Sequence, residues 1–250
     1  MSLPERIESE AATLGRDIAG HDLRLTGRLR VTSSETLAFR LLTKAIGQFR
    51  SAHPGISVEL AIDNRVLSLS RREADVALRV TRPRELDLHG RKLSQVAWTV
   101  YARSDALGGH PRSLETLSKL PVIGWEDGVR GINAAEWLAD QVSEEKIVYR
   151  TNSVVNQLVA ARAGIGAAIL PCYLGDPEPE LVRLSDPLPE LERELWIVTH
   201  SDLKHTARIR AFFDVVGDAL VADRPLLTGM KPALREDKES YGTKAKAEIR

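Results

Sequence analysis

Between Gly27 and Asp63 the hydrophobic pattern changes period twice. Leu29 and Val31 alternate with Arg28 and Arg30, the period of two expected of a half-buried strand. Ala38, Leu41, Leu42, Ala45 and Phe49 then recur at i, i+3, i+4, i+7 and i+11, which is one apolar face of a helix over 35–53. Pro54-Gly55 cannot continue that helix. Val58, Leu60 and Ile62 resume the alternation. Two strands joined by a helix of this length predict a right-handed parallel crossover. Ligands of open α/β sheets bind beyond the carboxyl ends of the strands, where the polar run Thr32 to Thr36 lies. Its hydroxyls can cap the new helix, whose first N–H groups lack partners.

The same grammar continues on either side. Leu3, Ile7, Leu14 and Ile18 give a narrow apolar seam over a helix at 1–20. A short helix at 64–74, a strand at 75–80, a return at 86–93 and a strand at 96–101 follow. After a loop rich in turn formers at 103–112, a second α/β block opens with a helix at 113–120 and strands at 121–125 and 147–151. Asn152-Ser153 caps a helix running to Ala163, and strands at 167–170 and 181–184 complete the block. A strand at 194–200 leads out of it to a helix at 205–221. Ile209, Phe212, Phe213, Val216 and Leu220 there repeat the i, i+3, i+4, i+7, i+11 pattern and need a buried host. The chain thus crosses between two blocks near 99–101 and 195–197, which makes a hinge and a cleft. Residues 231–250 are charged and nearly free of large apolar side chains, a composition that does not fold by burial.

Composition narrows the function classes. The chain has 250 residues, with 35 Lys+Arg against 35 Asp+Glu. Zero net charge argues against a direct grip on nucleic-acid phosphates. Cys172 is the single cysteine, so no disulfide forms within the chain and a cytoplasmic setting is expected. No export signal or apolar run long enough to span a bilayer is present. No cofactor or metal is expected. Ala163-Gly-Ile-Gly-Ala-Ala168 has the glycines of a dinucleotide loop in the reverse context, helix before strand, and reads as a helix C-cap with Gly164 left-handed. The six histidines show no zinc spacing, and Gly-x-Ser-x-Gly is absent.

The remaining candidates are the two capped helix starts. Thr32, Ser33, Ser34 and Thr36 in the first block and Thr151, Asn152 and Ser153 in the second would face each other across the cleft and form an anion-friendly pocket. Their bland reading is capping alone. Arg79, Arg82 and Arg84 lie at or past the end of the third strand and would add charge. Trp125 either walls the pocket or belongs to the core. Glu35 leaves two outcomes open: pointing into the cleft it favours a zwitterion or an amine, and folded back on its own helix it leaves the site to an anion.

Four segments together carry a family resemblance: Gly27-Arg-Leu-Arg-Val, Phe49-Arg-Ser-Ala-His-Pro-Gly-Ile-Ser-Val-Glu-Leu, Arg72-Glu-Ala-Asp-Val-Ala-Leu-Arg79 and Ala163-Gly-Ile-Gly-Ala-Ala-Ile-Leu-Pro171. In order and spacing the chain from about Leu25 to Val221 resembles the effector-binding domain of LysR-type transcriptional regulators. The resemblance implies an α/β fold of two Rossmann-like lobes with a hinge, of the type 2 periplasmic-binding-protein kind. Lobe I is expected over 27–98 with 197–224, lobe II over 99–196, a remnant of a linker helix over 1–26 and a disordered tail over 225–250. It also implies a small-molecule effector in the cleft, a side-by-side homodimer, no enzyme activity, and DNA contact only through a winged helix-turn-helix that does not precede Gly27 here. A solute-binding protein of a transport system shares the fold and is the alternative reading; a cytoplasmic α/β enzyme is a more distant one. The 250-residue chain by itself is expected to give no sequence-specific gel shift with operator DNA, and a specific shift would overturn that expectation.

Overall fold

The computed structural model describes residues 24–63, 69, 73–83, 85–128 and 132–230. The expected helix at 1–20 and the charged stretch at 231–250 lie outside them, as does most of the expected helix at 64–74. Strand β1 (Gly27–Ser33) is followed by helix α1 (35–52) and strand β2 (Ile56–Ile62). β1 and β2 pair in parallel over their whole length, from Gly27 opposite Ile56 to Ser33 opposite Ile62, as the sequence pattern predicts. The apolar face of α1 is buried at all five expected positions. Within α1, Ala38–Leu42 forms a π turn, closed by the Thr43 N–H and by the Thr43 hydroxyl, which donates to the Ala38 carbonyl at 2.8 Å. Ile62 departs from the expected face and is 57% exposed, because β2 is an edge strand of its sheet.

Strands β3 (Val76–Arg79) and β4 (Leu88–Val96) complete the first half, and β5 (Trp98–Arg103) opens the second. The single strand expected at 96–101 is therefore broken at Ala97. That residue's N–H donates to the Leu227 carbonyl (2.9 Å), and its carbonyl accepts from the Cys172 N–H (2.8 Å). Its backbone groups are thus satisfied outside both ladders, and the chain turns there from one sheet to the other. The helix expected at 113–120 is a 3₁₀ helix, Leu114–Lys119.

Strand β6 (Val122–Gly124), helix α2 (Asn133–Gln141), strand β7 (Ile147–Arg150), helix α3 (Val154–Arg162) and strand β8 (Ala168–Pro171) follow. A one-turn helix α4 (Cys172–Gly175), β9 (Leu181–Arg183), β10 (Arg193–His200), α5 (Ala207–Ala222) and α6 (Arg224–Leu227) complete the described fold. α2 went unrecognised in the sequence. α6 lies inside the stretch expected as a tail, yet Leu227 is fully buried, so the fold extends past residue 224. Gly164 is left-handed at φ +79° after α3, as a C-cap requires. Two residues on, a Cβ at Gly166 would meet the Pro121 carbonyl oxygen at 2.6 Å. These glycines therefore serve chain reversal and close packing.

Five strands form one sheet in the order β2-β1-β3-β10-β4. β1 pairs in parallel with β3, while β10 runs antiparallel to both β3 and β4. Three strands form a second sheet, β8-β5-β9, and β6 pairs in parallel with β7. A parallel bridge from Val122 to Ala167 joins β6 to the entrance of β8. The larger apolar core runs from α1 and α5 through the five-stranded sheet into α3 and β8. At its centre the Phe49 and Phe212 rings meet edge to face, with centroids 5.1 Å apart. Phe212→Ala is expected to cost about 3–5 kcal/mol in urea unfolding, with the midpoint falling and the slope preserved.

Candidate functional site

The sheet order brings distant residues to one edge. The carboxyl ends of β1, β2, β3 and β4 point the same way as the amino end of antiparallel β10. Ser33, Asp63, Arg79, Val96 and Arg193 therefore share that edge. They line a cavity of about 320 Å³. Its far wall comes from the second half of the chain: Ile132, Asn133 and Ala134 at the start of α2, Asn152 and Val154 at the start of α3, and Tyr173 of α4. Trp98 and Leu191 close it where the chain passes between sheets.

Of the residues singled out in the sequence, Thr32, Ser33, Ser34, Thr36, Arg79 and Asn152 line this cavity together with Glu35. Thr151, Ser153 and Trp125 do not. Trp125 is 5% exposed and belongs to the apolar cluster with Val100, Leu138 and Ile169, so its core reading holds. Ser153 is the N-cap of α3, its Oγ accepting from the Asn156 N–H at 3.1 Å. Thr151 Oγ1 accepts from the Ser153 N–H at 3.2 Å and buttresses that cap. Ser34 sits at the N-cap position of α1 and makes no side-chain cap; its Oγ lies 3.3 Å from Thr36 Oγ1. Arg82 stacks over Trp196, 5.9 Å from the ring centroid, and Arg84 lies outside the described residues.

The two helix starts are joined directly. Ser153 Oγ donates to Glu35 Oε2 at 2.8 Å. Of its two expected courses Glu35 thus takes the one into the cleft and does not fold back on its own helix start. It lines the cavity while its carboxylate lies against the start of α3, where a negative charge is favoured. Beside it, the Tyr173 hydroxyl donates to Thr36 Oγ1 at 2.8 Å. Burial pushes the Tyr173 phenol well above its usual range, against a smaller opposing effect of Thr36, so it remains a donor at neutral pH. One helical turn further, Arg40 pairs with Glu178, which also accepts from Arg162 Nε at 3.0 Å. Glu178 is 8% exposed. A carboxylate this buried needs cationic partners, and it takes one from α1 and one from α3.

The cavity is mixed in polarity. Arg79 is half-buried; burial lowers its pKa, and the nearby Glu85 charge acts in the opposite sense. Leu78, Val80, Val96, Trp98, Ile132, Val154 and Leu191 supply the apolar wall. The sequence reading missed Trp98, Tyr173, Arg193 and the start of α2. Only α2 had left a signal, with Ala134, Trp137 and Leu138 at helical spacing.

The LysR substrate binding domain model matches residues 23–221. The chain belongs to the LysR substrate-binding domain family. This is a family of transcriptional regulators. It is 25% identical over 213 residues to the HTH-type transcriptional regulator PtxR of Pseudomonas aeruginosa, covering 82% of this chain and 67% of that one. CrgA, a LysR-type transcriptional regulator from Neisseria meningitidis, has a similar structure at 23% identity with a TM-score of 0.68, over 86% of this chain and 76% of that chain. The CrgA regulatory domain gives 0.66 at 23% identity, over 78% and 99%. The fold is accordingly of the type 2 periplasmic-binding kind. Among the described residues no helix is long and apolar enough to cross a membrane.

Replacing Glu178 by Ala leaves Arg40 and Arg162 without their shared acceptor. Loss of a hydrogen-bonded charge of this kind is expected to cost about 1.5–3 kcal/mol, read as a lower urea midpoint; an unchanged midpoint would show the network to be energetically idle.

Proposed function

We propose that this LysR regulatory domain senses a small polar or anionic molecule in the cavity at the edge of the five-stranded sheet. The observation that carries the reading is that one cavity is walled by both halves of the chain: Ser33, Ser34 and Arg79 from one side, and Asn133, Asn152 and Tyr173 from the other. A ligand there touches both, and its volume of about 320 Å³ suits a small molecule. A regulatory domain of the same fold, that of CcmR from Synechocystis, is solved in complex with 2-PG, at 20% identity with a TM-score of 0.61, over 78% of this chain and 98% of that chain.

In this reading the halves act as lobes, 27–98 with 197–224 and 99–196, hinged where the chain crosses. A ligand that binds one interlobe arrangement better shifts the population toward it. The Glu35–Ser153 and Thr36–Tyr173 hydrogen bonds set the arrangement from which it starts. The domain works as a homodimer in the cytoplasm, and its output reaches DNA through a winged helix-turn-helix rather than through these residues. Calorimetry with carboxylates, amino acids and neutral analogues tests the site. The Ser34→Ala, Asn152→Ala double variant is expected to bind a hit about ten- to a hundredfold more weakly, the loss of roughly one hydrogen bond to a charged group. Equal binding by wild type and variant would place the site elsewhere.

A further inference from the structure

Two cavity-lining residues hold buried donors that have no hydrogen-bond partner: Ser33 through Oγ and Arg193 through Nη2. Ser33 is 3% exposed. Arg193 opens β10 opposite Val96, and its Nη1 donates to the Glu192 carbonyl at 2.7 Å. An arginine nitrogen buried without an acceptor is destabilising. The other cavity charges are placed differently: Glu35 takes the Ser153 hydroxyl, Arg79 lies within the field of Glu85, and Asp63 stands past the end of β2, three strands away from β10 in the sheet. Val96 is the cross-strand neighbour of Arg193, and the apolar Trp98 and Leu191 line the same cavity.

We propose that Arg193 binds the carboxylate of the effector, and that the effector is an organic monocarboxylate with an apolar body. The proposal rests on the cavity being the effector site. Turning the Arg193 side chain into the cavity it lines exchanges an unpaired donor for a charge-assisted pair with a flat, two-oxygen acceptor, the geometry a guanidinium matches. The apolar body then lies on Val96, Trp98, Leu191 and Ile132. The helix starts are the competing place for an anion. There Glu35 already contributes a carboxylate beside Ser153, and a second negative charge next to it is repelled. The pocket thus separates an acid-bearing helix end from an arginine-bearing hinge end, and selects the orientation of an amphipathic acid.

The test uses 3-phenylpropanoate and its neutral isostere 3-phenylpropanamide, titrated calorimetrically into the 250-residue chain. Wild type is expected to bind the carboxylate more tightly than the amide. Arg193→Gln is expected to lose about ten- to a hundredfold for the carboxylate and nothing for the amide. If Arg193→Gln does not give a cooperative melt, Arg193→Lys decides, since it keeps the charge and loses the fork: the carboxylate weakens and the amide does not. Equal binding of the two probes by wild type, no carboxylate binding at millimolar concentration, or an unchanged carboxylate affinity in both Arg193 variants would overturn the proposal. Carboxylate binding that survives in the Arg193 variants but falls in the Ser34→Ala, Asn152→Ala variant keeps the cavity and removes Arg193. Binding that survives in all of them removes the cavity itself.

Discussion

Burial of the apolar face of α1 between the five-stranded sheet and α5 is the constraint on which the site depends. Phe49 and Phe212 meet inside that contact, and Leu37, Leu41 and Leu42 are almost fully buried along it. With this face fixed, α1 can start only at the carboxyl end of β1. Its first residues, Glu35 and Thr36, then project over the sheet edge. Everything polar in the cavity is placed relative to that helix start, so a large hydrophobic contact on one side of the helix determines the position of small hydrogen-bonding groups at its end.

From the helix start the second half of the chain is held by three graded contacts. A hydroxyl-to-carboxylate bond joins Ser153 to Glu35, a hydroxyl pair joins Tyr173 to Thr36, and Arg40 reaches Glu178 deeper in. The outer two involve Glu35, Thr36 and Tyr173, which line the cavity, and Ser153 beside it. The Arg40–Glu178–Arg162 group lies away from the cavity and is the most buried of the charged contacts on α1. It therefore ties the second turn of α1 to α3. The π turn at Ala38–Leu42 carries Arg40; such turns interrupt the regular helical spacing of side chains.

Helix starts favour anions, yet one of them already faces an acid. Glu35 belongs to α1 and lies against the start of α3, so a single side chain partly satisfies the dipoles that would otherwise invite a ligand. That leaves the hinge side of the cavity, where Arg193 on β10 holds a buried guanidinium nitrogen with no acceptor. The asymmetry follows from strand order. β10 returns from the second half and inserts between β3 and β4, bringing Arg193 to an edge that the first 100 residues alone would line with Arg79 and Asp63.

The period of the hydrophobic pattern determined the elements that bury one clean face: β1, α1, β10 and α5 all stand where alternation or helical spacing put them, and the order of Thr32 to Thr36 before α1 followed from that. Residues 96–101 read as one strand because their β-branched and aromatic side chains suit a sheet, and they serve one on both sides of the break; only the hydrogen bonds of Ala97 to Leu227 and Cys172 interrupt it. Trp125 was open between cavity and core, since a large aromatic side chain serves either, and packing decided for the core. Arg193 sits among glutamates in the sequence and has the look of surface charge. Its place at the cavity comes from β10 pairing with β4, a long-range contact with no local signature. Glu35 was undecided for the same reason: the hydroxyl that donates to it belongs to Ser153, 118 residues away, and local sequence carries periodicity and caps but not the partner that tertiary folding supplies.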